Sequence, residues 1–140
     1  MEKYEVFEHT ADIGIKAHGA DLGEAFENAA LGMFDIISDV DKILTIGEYD
    51  VTLSSKDVEQ LLVDWLSELL YIHTVKHVIF SRFETFIRKE EGQWFLEAKA
   101  MGENYDPEKH PYHTEIKAVT HHMLEIMEDN GYKIRVLFDI

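Results

Sequence analysis

The sequence predicts a single α+β domain in which two helices pack on one face of a largely antiparallel β-sheet. Two segments, 21–38 and 57–72, repeat apolar residues at helical spacing, while most of the remaining chain alternates with the period of a strand. At 140 residues, with 46% hydrophobic side chains and no repeat, linker or low-complexity stretch, the chain has the length and composition of one core.

In order, "YEVFEH" reads as a short strand, and after a break at Thr10–Ala11 "DIGIKAHG" alternates again. Ile13, Ile15 and Ala17 take one face of that second strand, and Asp12, Gly14, Lys16 and His18 the other. "DLGEAFENAALGMFDIIS" is an amphipathic helix whose N-cap is Asp21, with Glu24 three residues on. "KILTIGEYDVTLSS" is rich in Ile, Thr, Tyr and Val and reads as strand throughout. The second helix begins after Ser54–Ser55, with Asp57 and Glu59 in a first turn that favours acids. Its buried stripe is Val58, Leu61, Leu62, Trp65, Leu66, Leu69 and Ile72.

"VIFSRFETFIRKE" and "QWFLEAKAMGE" flank Glu91–Gly92 and predict a β-hairpin. "NYDPEKHPYH" holds both prolines and is the one clear loop. The pattern of 115–129 suits helix or strand, but alternation on both sides of "DNG" favours a terminal hairpin. In its last strand Ile134, Val136, Phe138 and Ile140 share a face, so the core is expected to reach the final residue. Asp139 then lies on the opposite face with Arg135 and Leu137.

The formal charge is −15, from 28 acidic against 13 basic side chains. That balance disfavours direct nucleic-acid binding, which rests on Lys and Arg neutralising phosphates. No cysteine is present, which excludes disulfides, thiolate metal sites and a cysteine nucleophile. "MEKYEVFEHT" lacks the pattern of a signal sequence, and no apolar run reaches spanning length, so the expectation is a cytoplasmic protein without membrane contact.

Among candidate chemical groups, Asp12, Asp139 and the terminal carboxylate of Ile140 come first. If the second and last strands are neighbours, two carboxylates meet at one end of the sheet. Such a group repels itself unless protonated or neutralised by a cation, and oxygen-only ligation suits a hard ion. Periodicity equally allows Asp12 to cap a turn and Asp139 to be solvated. The eight histidines raise a zinc reading, but His73 and His77 form a lone i, i+4 pair without a third ligand, and no HExxH occurs. His110, His113 and the adjacent His121–His122 lie elsewhere in the chain. Lys117, beside Glu115, is a lone base in an acidic chain, with an ordinary surface ion pair as its plainer reading. No serine elbow and no phosphate-cradling glycine loop is present.

"HTADIG" at 9–14, the helix at 21–34, "LLVDWLSELLY" at 61–71, "GENYDPEKHPYHTEIKAVTHH" at 102–122 and the closing "FDI" together resemble the archease family, in order and across nearly the whole chain. The resemblance implies a protein cofactor, not itself an enzyme. Its partner would be the GTP-dependent tRNA-splicing RNA ligase, met in a transient complex, whose guanylylation and multiple turnover it promotes and whose nucleotide use it can broaden. It also implies a cation site at Asp12, Asp139 and Ile140, with Ca²⁺ the first expectation and Mg²⁺ or Mn²⁺ the alternatives. Lys117 falls on a characteristic family position in "IKAVT" and is expected to serve partner activation together with Asp12 and Asp139. Two other readings stay open: a metal-dependent phosphohydrolase or nuclease using Asp12 and Asp139, and a chaperone-like binding module.

Overall fold

A computed structural model describes residues 2–9 and 11–140; the break expected at Thr10–Ala11 thus lies partly outside the described residues. The order of elements is β1 (Tyr4–His9), β2 (Asp12–Gly19), α1 (Leu22–Ile37), a 3₁₀ turn (Val40–Lys42), β3 (Gly47–Ser55), α2 (Val58–Lys76), β4 (Val78–Glu90), β5 (Gln93–Asn104), β6 (Ala118–Val119), β7 (Glu125–Glu128) and β8 (Tyr132–Asp139). The expected α+β class holds. The strands pair antiparallel, but in two sheets: a larger one ordered β1-β2-β8-β6, with β7 also on β8, and a smaller one ordered β3-β5-β4.

Helix α1 joins the sheets because its apolar residues span more than one stripe. Ala25, Phe26, Ala29, Ala30, Met33 and Phe34 are all fully buried. On one side Gly32 lets the helix approach Tyr4 of β1 and Ile15 of β2, each about as close as a Cβ would permit. On the other, Thr85 of β4 donates its hydroxyl to the Gly23 carbonyl and to Glu27, both at 2.9 Å. Trp65 of α2 is fully buried, and its indole N–H donates to the Phe26 carbonyl at 3.0 Å. A buried indole needs such a partner, so this bond fixes how α2 crosses α1.

The helix starts follow their caps. Asp21 accepts the Glu24 N–H at 2.8 Å, while the Glu24 carboxylate accepts the Ala20 N–H at 3.0 Å. Asp57 is the N-cap of α2, not part of its first turn, and accepts from Glu59 and Gln60. Helix α2 ends at His77, which adopts a left-handed φ of 57°.

The strand expected over 42–55 begins only at Gly47. Upstream, side chains claim the backbone groups a ladder would use. Glu103 accepts the Leu44 N–H at 2.7 Å, and Ser81 donates to the Ile43 carbonyl at 2.9 Å. The long hairpin of β4 and β5 turns at Glu91–Gly92, both left-handed with φ of 51° and 78°, as expected. Beyond the loop, 115–124 contains only the two-residue β6, and the terminal hairpin forms as read, between β7 and β8.

The core stops one residue short of the expected place. Ile134, Val136 and Phe138 are buried, whereas Ile140 is 45% exposed because it lies beyond the last sheet pairing. Leu137, on the opposite face, is fully buried instead. A side chain at Gly14 would meet the Phe7 ring and the Leu137 methyl at under 3 Å, so Phe7 and Leu137 close over the glycine in a small outer cluster.

Candidate functional site

Strands β2 and β8 are neighbours, and their register sets Asp12 directly opposite Asp139. Strand β1 adds His9 beside Asp12, and β6 adds Ala118 beside Asp139. Opposed residues project from the same face, with Cβ atoms about 5 Å apart. A row of His9, Asp12, Asp139 and Ala118 therefore crosses the end of the larger sheet. The next row inward, Ile13 and Phe138, turns to the core. Two facing carboxylates at this spacing repel when both are ionised.

The corner is held mainly through backbone. The Lys117 N–H donates to the Asp139 carbonyl at 2.8 Å, while Thr120 donates both its N–H and its hydroxyl to the Leu137 carbonyl at 3.0 Å. These bonds fix the segment carrying Lys117 against the last strand, with the Lys117 side chain exposed. Ile140 follows Asp139 directly and, as read from the sequence, would bring a terminal carboxylate to the same corner. Among the described residues no three His, Cys, Asp or Glu side chains are close enough together to hold a metal. The donors on offer are two side-chain carboxylates and the terminal one, an oxygen set whose chemistry fits a hard divalent cation.

His9 is the neighbour that sequence reasoning missed. Its Nδ1 lies 3.7 Å from the Asp12 carboxylate, too far for a hydrogen bond, and its ring is 5.6 Å from that of His122. The available signal was its place three residues before Asp12 in a tight two-strand motif, opposite it once the hairpin forms. His121, by contrast, reaches back to α2 and meets Gln60 at 2.9 Å.

His73, His77 and His113 are tied to structure, not gathered as ligands. His73 is buried, bonds the Val78 carbonyl at 2.9 Å and stacks on Tyr112. Burial depresses its pKa despite the bond to that carbonyl. His77 is the C-cap of α2, and His113 pairs with Asp39 at 2.9 Å. The zinc reading of the His73–His77 pair therefore finds no converging set among the described residues.

Another cluster organises the loop that leads to Lys117. His110, 1% exposed, accepts the Asp106 N–H at Nδ1, so Nε2 carries the proton and donates to Glu103 at 2.9 Å. Glu103 also receives the Lys109 ammonium at 2.8 Å and the Leu44 N–H at 2.7 Å. Desolvation opposes ionisation of this carboxyl, yet the three donors outweigh it and lower the pKa from an ordinary 4.5 to about 2. A depressed acid stabilises the fold above its unfolded pKa, and that contribution is lost as pH falls through the folded value. Glu103→Gln is accordingly expected to lower the melting temperature at pH 7 and to flatten the decline between about pH 4.5 and 2, which thermal melts at stepped pH would read. A variant with an unchanged acid limb would show that Glu103 does not anchor the loop.

The same fold also occurs in known proteins. The model of the Archease protein family matches residues 4–140. "Protein archease" of Methanosarcina mazei is 51% identical over 99% of this chain and 97% of its own length. That of Pyrococcus furiosus is 42% identical over the whole of both chains. The solution structure of Methanobacterium thermoautotrophicum protein 1598 superposes with a TM-score of 0.89, at 43% identity and full coverage of both chains. The chain belongs to the archease family.

Proposed function

We propose that this protein activates the GTP-dependent tRNA-splicing RNA ligase as an accessory protein, without ligating RNA itself. Family membership supports the general role. The observation that carries the site assignment is the opposition of Asp12 and Asp139 next to the terminal residue. In this reading Asp12, Asp139 and the Ile140 carboxylate hold a divalent cation, with Ca²⁺ the first candidate and Mg²⁺ or Mn²⁺ the alternatives. Such a cation, when bound, supplies charge neutralisation of the kind phosphoryl transfer requires.

The chain's own residues do the positioning. β2 and β8 hold the two carboxylates in register, and the Lys117–Asp139 backbone bond keeps the last strand from fraying. The exposed Lys117 ammonium offers a mobile positive charge beside the acids, suited to a phosphate or carboxylate of the partner. A net charge of −15 favours transient docking near the basic RNA channel of a ligase. The finer parts of the role are faster guanylylation of the ligase, multiple turnover and a broader choice of nucleotide, in the cytoplasm. No helix among the described residues is long and apolar enough to cross a membrane.

The test is guanylylation of the cognate ligase with labelled GTP and Mg²⁺ or Mn²⁺, with and without the protein. Substoichiometric stimulation is the expected result. A tag added after Ile140 should reduce both stimulation and cation affinity, whereas an N-terminal tag should not. Absence of stimulation, joined to phosphoester hydrolysis by the protein alone, would move the assignment to the phosphohydrolase reading.

A further inference from the structure

We propose that the outer face of β2 and β8 is an oligophosphate-binding site formed by Lys16, Arg135, Lys133 and His18. The inference is independent of the ligase. It starts from a feature of the pairing: Lys16 lies directly opposite Arg135, and His18 directly opposite Lys133. Like charges facing each other across strands destabilise a sheet. Lys16 and Arg135 are such a pair, flanked in their row by Glu5 opposite Lys16 and Glu125 opposite Arg135, and the next row adds Lys133 beside His18.

These residues are weakly committed to partners within the fold. Lys16 Nζ has no carboxylate within 4.0 Å among the described residues and sits 5.6 Å from the centre of the Phe7 ring. Lys133 reaches Asp129 only at 4.0 Å. Arg135 donates Nε–H to the Met123 carbonyl at 2.8 Å, which fixes the guanidinium plane, while its NH2 group is 3.6 Å from Glu125. The fork is thus pre-oriented with terminal donors to spare. His18 Nδ1 is buried and has no hydrogen-bond partner.

The four groups line one depression of about 280 Å³ together with Glu5 and Glu125, so its lining holds three permanently basic side chains against two acids. That volume suits a chain of phosphates and is small for a folded polypeptide segment. The two basic rows are about 7 Å apart along the strands, so a single phosphate engages one row and an oligophosphate both. The site is distinct from the acidic corner. Four residue steps along β2, about 13 Å, separate Lys16 from Asp12, with the Phe7–Gly14–Leu137 cluster between.

Calorimetry on metal-free protein at low ionic strength would test the proposal, with orthophosphate, pyrophosphate, tripolyphosphate, GTP and a short RNA as titrants. Tripolyphosphate and GTP are expected to bind at a single site, more tightly than pyrophosphate and orthophosphate, and to weaken with added salt. Equal affinity for tripolyphosphate and GTP identifies the phosphates as the whole determinant, and tighter GTP binding identifies a nucleotide as the source. Lys16→Gln and Arg135→Gln should each weaken tripolyphosphate binding about tenfold, the worth of one charge-assisted hydrogen bond. Lys16→Gln alters an exposed side chain, so folding is not at issue there. Asp12→Asn should leave the affinity intact. Loss of binding in Asp12→Asn, no saturable heat, unchanged affinity in Lys16→Gln, or RNA bound more tightly than tripolyphosphate would each overturn the assignment.

Discussion

Asp139→Asn and Asp12→Asn are expected to remove most of the stimulation of ligase guanylylation, by about 10- to 100-fold, the range seen even for groups that only support a metal ligand. Both variants should fold. The carboxylates face each other across β2 and β8 and repel, so neutralising either removes an unfavourable contact from the metal-free protein. The melting temperature without metal is therefore expected to stay level or rise. A divalent cation should reverse the order. At a hundred times its Kd, a ligand stabilises the native state by about 2.7 kcal/mol, and only the wild type should gain this. Calorimetric melts with chelator and with Ca²⁺, Mg²⁺ or Mn²⁺ would show the crossing. If Asp139→Asn melts well below wild type in chelator, the aspartates are structural and the cation reading fails.

Gly102→Ala is expected to cost about 3 kcal/mol or more, among the largest effects of any single methyl group in this chain. Gly102 sits in the central strand of the smaller sheet, paired with Gly47 of β3 and Phe80 of β4. A Cβ there would lie 1.9 Å from the Ile79 carbonyl oxygen and 2.8 Å from the Phe80 Cα. Both obstacles are backbone, so no rotamer change relieves them, and β4 must separate from β5. The contact falls where the β4–β5 register shifts between Phe80 and Arg82. The bulge and the glycine are two sides of one close approach. Gly92→Ala provides the contrast. Its φ is +78° with nothing within 4 Å, so it should cost about 1 kcal/mol through backbone strain alone. Urea unfolding of the two variants reads the difference, and equal midpoints would remove the steric argument.

Much of the fold is legible locally. Both helices follow from apolar spacing, and Asp21 marks the start of α1 through a cap that forms as read. The β4–β5 hairpin follows from Glu91–Gly92, which supply the left-handed conformations a tight turn demands. Where local reading overshoots, a distant side chain is the cause. Residues 43–46 look like strand, but Glu103 and Ser81 capture the backbone groups of Ile43 and Leu44. The Glu103–Lys109–His110 network was equally invisible, because nothing in a row of exposed-looking loop residues signals that His110 is buried.

The amino-acid sequence by itself determined the elements, the excess of acid, the family resemblance and the face on which each aspartate stands. Period-2 alternation is enough to send Asp12 and Asp139 away from the core, because Ile13 and Phe138 must go toward it. Only the tertiary structure decided that they face each other. Alternation fixes which way a side chain points, but neither the partner strand nor the register, and β2 and β8 lie at opposite ends of the chain. Their pairing is selected by burying Ile15 and Ala17 with Ile134 and Val136 beneath α1, and shifting it by one residue would turn these apolar side chains out to solvent. The same register that fills the core thereby places Asp12 against Asp139 and Lys16 against Arg135.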